Sequence, residues 1–197
     1  MVKTGVIFPV AIVVGLLFGA GDQYLGRIMV SGLWTVSASL MSAPWLLLPF
    51  AFGCTQRRAR RAAEIGLVVT LAALAGYFLM VMGPLEGGRW TMTAAEARGL
   101  VLSNRENILG GFLTAPLYGL LGQRWRERRA WLSAAAVAGA LCLEPLALTV
   151  AHRSYAGESV IWPFEVGAGI VLAVYFAFKG TAFRRRVREG LSGPTGL

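Results

Sequence analysis

Six apolar stretches alternate along the chain with short polar or basic blocks. An α-helix rises about 1.5 Å per residue, so some twenty apolar residues cross a bilayer core of roughly 30 Å. The pattern predicts spans over residues 5–21, 34–54, 62–82, 107–122, 130–150 and 160–178. The first is short, and helix ends or tilt must complete its crossing. It has the look of a signal peptide, with a poor cleavage site at Phe18-Gly19-Ala20. Its small-xxx-small row, Ala11, Gly15 and Gly19, instead favours a retained helix that packs closely on a neighbour or docks a partner.

The blocks between the spans carry their own signals. Asp22 to Arg27 reads as a polar turn. Pro44 and Pro49 interrupt the long apolar run from Ile28 to Cys54, which predicts a short surface piece followed by a crossing from about Trp34. Arg60 and Glu64, four residues apart, predict an interfacial ion pair. Thr93-Ala94-Ala95-Glu96 reads as a capping box opening a short amphipathic helix with Ala94, Ala97, Leu100 and Val101 on one face. Ser103-Asn104-Arg105-Glu106 reads as a second capping box, starting the fourth span. Trp90 and Trp162 on one side, and Trp125 and Trp131 on the other, read as interfacial belts. Residues 1–183 form one transmembrane domain in this reading, and 184–197 a basic and then flexible tail.

Composition agrees with a membrane bundle: 56% of the 197 residues are hydrophobic and only 15% charged. The net charge of +9 falls in blocks rather than in a groove with interleaved aromatics, which argues against nucleic acid. With both termini inside, 14 of the 19 basic residues lie on the cytoplasmic side: Lys3, the arginines at 57–61 and 124–129, and the basic residues from Lys179 to Arg188. The expected protein is an all-α bundle of six transmembrane helices with N and C termini cytoplasmic, in the inner (plasma) membrane.

One residue does not fit a plain span. Glu144 lies inside the fifth apolar run and is followed at once by Pro145, which frees the carbonyl of Leu141. A charge at that depth costs about 2.5–3.5 kcal/mol on insertion scales, so it needs a partner, a proton or a water-filled cavity. Asp22, Glu165, Glu106 and His152 fall toward the same outer half. Glu144, Glu165, Asp22, Trp45 and His152 are therefore the candidate ligand-binding set, suited to a cation, an amine or a proton-linked site. Against that, Glu106 suits a capping box, Glu165 a helix first turn after Pro163, and Asp22 and His152 an interface. The structural alternative for Glu144 is an ion pair with Arg105 or Arg153.

Known catalytic designs find no support. Gly19-Ala20-Gly21-Asp22 spells the GxGD string of intramembrane aspartyl proteases, but Asp22 is the only aspartate and that chemistry needs two. One histidine cannot build a two-histidine metal site, and neither a GxSxG motif nor a P-loop occurs. Cys54 and Cys142 form no metal-binding spacing. The expectation is a non-enzyme without metal or cofactor.

Several words of the sequence resemble a family of small integral membrane proteins, mostly actinobacterial, classified as a domain of unknown function. They are VVGLLFGA at 13–20, SAPWLLLPFAFGC at 42–54, RRARRAA with LAGYF at 74–78, and CLEPLAL at 142–148. The resemblance covers most of the chain and carries no functional residues with it. In layout the chain is also similar to the substrate-capture subunits of energy-coupling-factor vitamin transporters. That similarity implies that Ala11, Gly15 and Gly19 dock a partner membrane subunit. The expected function is binding or transport of a small solute, as one subunit of a larger transporter. The alternative is a non-catalytic scaffold or partner protein, paired with another membrane protein or a second copy, in which Glu144 is structural.

Overall fold

A computed structural model describes residues 4–27, 42–83, 93–150 and 161–191, and among these every regular element is helical. The helices are α1 (Thr4–Arg27), α2 (Ala43–Gly53), α3 (Ala59–Met82), α4 (Ala94–Ser103), α5 (Arg105–Arg128), α6 (Trp131–Val150) and α7 (Trp162–Leu191). Four of them contain stretches long and apolar enough to cross a membrane: Val6–Gly26, Ala59–Met82, Trp131–Val150 and Trp162–Gly180. Large apolar side chains point outward along them, among them Leu17, Leu132, Leu143 and Val171. That is the surface a multi-pass membrane protein presents to lipid.

Of the three remaining helices, α2 and α5 pack against α3 but differ from that group for separate reasons. α2 has 11 residues and spans roughly 16 Å, about half a bilayer. α5 has 24 residues, but its apolar stretch lies between charged ends carrying Arg105 and Glu106 at one and Arg124, Arg126 and Arg128 at the other. The surface piece expected before Trp34, and the first part of the crossing expected from Trp34, lie outside the described residues.

Helix directions follow from which residues meet. Ala11 of α1 packs with Ile65 and Val69 of α3, and Gly19 lies against Ala73 and Tyr77, so α1 and α3 run parallel. α2 runs the opposite way: Trp45, near its start, stacks edge-on with Phe18 and Tyr77, while Phe52, near its end, packs beside Ala11 and Ile65. α5 is antiparallel to α3, with Gly111 near Thr70 and Gly119 near Ala62. α6 returns along α5, bringing Ala134 and Val137 to Trp125 and Phe50. α7 reverses again, with Gly169 against Ala138 to Cys142 and Phe176 against Trp125. Taken in order, α1, α2, α3, α5, α6 and α7 therefore alternate in direction, and the start of α1 and the Gly180 region of α7 lie at the same end of the bundle.

Small residues make these seams. In lipid, apolar burial does not drive helix association, so close backbone packing must supply the contact energy. Ala11, Gly15 and Gly19 are all buried, and they face Val69, Ala72 and Ala73. Within this chain, α3 occupies the row. A second seam crosses at Gly119, where α5 meets the backbones of Gly53 on α2 and Ala62 and Gly66 on α3. A side chain at Gly119 would overlap main-chain atoms, which cannot move aside.

Several local expectations change. Asp22 to Arg27 is not a turn but the last part of α1, because nothing in Asp22-Gln23-Tyr24-Leu25-Gly26-Arg27 stops a helix as proline would. The Thr93–Glu96 capping box forms, with the Thr93 N–H donating to Glu96 Oε2 at 2.7 Å. The Ser103 box does not: the Ser103 hydroxyl donates to the Leu100 carbonyl, and α5 starts after Asn104 without a side-chain cap. Trp125 is not an interfacial belt residue. It is buried, 4.7 Å from the Phe176 ring, because α7 closes over that end of α5. Trp131 is exposed. Arg60 and Glu64 form the expected ion pair at 2.9 Å. The last helix runs beyond Lys179 to Leu191.

Candidate functional site

The start of α2 is the junction of the carboxylate-bearing half of the bundle. Ser42 and Pro44 define it: serine precedes the helix, and proline within the first turn lacks the N–H that would otherwise be an orphan donor. The Trp45 N–H donates to the Ser42 carbonyl at 3.1 Å. The remaining donors, Ser42 N–H and Ala43 N–H, need an acceptor, and the Ser42 side chain does not cap its own helix.

Glu144 supplies that acceptor from 102 residues away in sequence. Its Oε1 accepts from both the backbone N–H and the hydroxyl of Ser42. Its Oε2 accepts from the Ala43 N–H at 2.7 Å. A carboxylate at a helix N-terminus also meets the positive end of the helix dipole. Glu144 lies six residues before the end of α6, roughly 9 Å in from the end of that span. Glu144 thus takes donors from α2 and not from the guanidinium of Arg105 that the sequence suggested. Arg153 lies outside the described residues. Pro145 is buried behind it, and the Thr149 hydroxyl donates to the Pro145 carbonyl at 2.8 Å.

The other candidate residues divide between this junction and elsewhere. Asp22, on α1, lies beside the Trp45 indole, whose N–H faces the carboxylate. The Trp45 ring lies 5.4 Å from Phe18 and 6.4 Å from Tyr77, both edge-on. Asp22 and Glu144, from different helices, thus both face the first turn of α2, and Glu144 accepts from its backbone. Glu165 opens α7 and is buried at 2% exposure, one turn before Gly169 on the side that faces α6. His152 lies outside the described residues.

Sequence reasoning singled out Glu144, Asp22 and Trp45 but missed Ser42, Phe18 and Tyr77. Ser42 carries a signal, since a serine two positions before a proline is a common helix start. No sequence signal pairs it with Glu144. Among the described residues no group of His, Cys, Asp or Glu could hold a metal ion. Cys54 and Cys142 are both free thiols. No family model matches the chain, and no curated protein or solved structure matches it.

Proposed function

We propose that this chain is a non-catalytic, six-crossing protein of the plasma membrane, a scaffold or partner subunit, in which Glu144 is a fixed structural acceptor. The observation that carries this reading is that both Glu144 oxygens are taken up by the first turn of α2. A ligand would have to displace three donors from the carboxylate and leave a helix N-terminus uncapped. α2 belongs to the second crossing, α5 makes the fourth, and the termini face the cytoplasm with the basic blocks. The alternating helix directions support this arrangement. The outer faces of the spans leave room for another membrane protein or a second copy.

Glu144→Gln tests the proposal. A structural acceptor predicts a lower melting temperature in detergent with no change in response to any solute. Solute response lost in a protein that keeps its melting temperature would sink it. Reporter fusions after residues 57, 90, 126, 155 and 190 test the topology, with 57, 126 and 190 expected on the cytoplasmic side.

A second reading has its own support. Asp22 beside Trp45, with Phe18 and Tyr77 around the indole, is a set that suits a small organic cation. In this reading the chain binds or moves a small solute as the capture subunit of a transporter. Co-purification with an ATPase and a membrane-coupling subunit, and ligand binding lost in Asp22→Asn, would favour it over the scaffold.

A further inference from the structure

The end of the bundle opposite Glu144 and Asp22 gathers two arginine clusters that lie far apart in sequence. One is Arg57, Arg58, Arg60 and Arg61, leading into α3; the other is Arg124, Arg126, Arg128 and Arg129, closing α5. Two hydrogen bonds tie them into one surface. Arg126 Nη1 donates to the Thr55 carbonyl at 2.6 Å, and Gln123 Nε2 donates to the Arg57 carbonyl at 3.3 Å. Buried Gln123, Gln56 and Trp125 underlie the junction.

Three of the eight guanidinium groups serve the fold. Arg126 holds Thr55, Arg60 pairs with Glu64, and Arg129 lies 5.2 Å over the Trp125 ring. Arg57, Arg58, Arg61, Arg124 and Arg128 are exposed and have no side-chain hydrogen bond or ion pair among the described residues. Exposed Lys179 joins the same end from α7, next to the Gly180 that lies beside Trp125. The carboxylates beside these arginines are Glu64, already paired, and Glu127. The arginines sit within a turn or two of Ala59 and Trp131, where two of the apolar spans begin. That is headgroup depth, and the exposed Trp131 ring lies at the same level.

We propose that these two clusters form one binding surface for the phosphate groups of anionic phospholipids. The inference rests on the multi-pass membrane reading and adds a specific ligand class to it. A guanidinium fork matches a phosphate in two parallel hydrogen bonds, and five unpaired forks at headgroup depth favour a lipid whose phosphate has no ammonium to neutralise it over a zwitterionic one. The α2–α3 loop and the end of α5 each supply part of the surface, and the Arg126 and Gln123 bonds hold the parts in register.

The test uses the full chain purified in mild detergent, with native mass spectrometry of mixed micelles containing phosphatidylglycerol and phosphatidylcholine. Phosphatidylglycerol is expected to be retained roughly tenfold or more over phosphatidylcholine, given about 1 kcal/mol per basic residue near the surface. R57Q/R58Q and R124Q/R128Q should each lower that preference several-fold. A shared surface makes their effects non-additive in the quadruple variant. If a variant does not fold, the unaltered protein at about 0.5 M salt replaces it, and the preference should collapse there by screening. Equal retention of the two lipids, or a preference that survives both the substitutions and the salt, overturns the inference. Competition by inorganic phosphate or glycerol phosphate as effective as by the lipid also overturns it, since the ligand would then be soluble. Carbonate extraction separates the two levels. Release of the chain from the membrane refutes the multi-pass reading, whereas lipid indifference in a protein that stays embedded refutes only the headgroup surface.

Discussion

The two ends of α2 are held by opposite means. Its last turns lie backbone to backbone on α5, through Gly53 on Gly119 and Phe50 on Gly122, where no side chain intervenes. Its first turn is held by charge, with Glu144 from α6 on Ser42 and Ala43, and Asp22 from α1 on Trp45. A helix end inside a bundle leaves backbone donors that lipid cannot satisfy, so the N-terminus needs an acceptor from elsewhere in the protein. The C-terminal end leaves carbonyls instead, and donors close at hand take them: the N–H groups of Cys54, Thr55 and Gln56 bond to the carbonyls of Phe50, Phe52 and Gly53, and the Thr55 hydroxyl also donates to the Phe52 carbonyl. There close approach is the main requirement, and glycine meets it.

The largest effect should come from the backbone seam. Gly119→Leu would drive a side chain into the main chain of Ala62, and no folded monomer is expected on size-exclusion chromatography. Gly19→Leu should do the same to the α1–α3 seam, because it faces the Ala73 carbonyl. Recovery of a normal monomer from either would show that the helices can separate without loss of the fold.

Glu144→Ala comes next. It orphans the donors of exposed Ser42 and buried Ala43, with an expected loss of about 1–3 kcal/mol, the cost of one buried unsatisfied group. Glu144→Gln should lose less, since one amide oxygen still accepts. An Ala variant as stable as the parent in a detergent melt would remove charge as the explanation of the N-terminal end.

Smaller effects sharpen the contrast. Trp45→Phe keeps a ring between Phe18 and Tyr77 but removes the indole N–H that faces Asp22, at a cost of no more than about 1 kcal/mol. Additivity with Glu144→Gln would show that the two carboxylates hold α2 independently; a coupling energy in the double-mutant cycle would show one shared network.

The smallest effect is a pH effect at α4. Bonds from the Thr93 backbone and then the Thr93 hydroxyl hold the Glu96 carboxyl below its usual 4.5. A depressed folded pKa gives a contribution present above 4.5 and lost as the pH falls through the lower folded value. Carboxyl NMR of Glu96 should report that displaced titration, and Thr93→Ala should return it toward 4.5. An unshifted titration in the parent protein would mean the box is open in solution.

Much of the architecture was legible because hydrophobic length is a local property. The apolar runs at 62–82 and 130–150 became α3 and α6 within three residues at each end. The start of α5 was misread because Ser103 satisfies the preceding turn through the Leu100 carbonyl, a choice that composition does not reveal. Trp125 read as an interfacial ring because its burial depends on Phe176, far away in sequence. At the site, Glu144 stood out for the cost of a charge among apolar neighbours. Its partners did not, since a serine is an ordinary residue until a carboxylate is brought to it.

The sequence by itself determined that this chain is helical, apolar enough for membrane crossings, and basic in blocks, because those properties depend on residue type and spacing along one strand of chain. It also marked Glu144 as a residue in need of an explanation. Only the tertiary structure decided what that explanation is, which glycines carry the seams, and that Arg57 and Arg124 share one surface. Each of those depends on the register between helices distant in sequence, and register is set by the packing of whole faces rather than by any local signal.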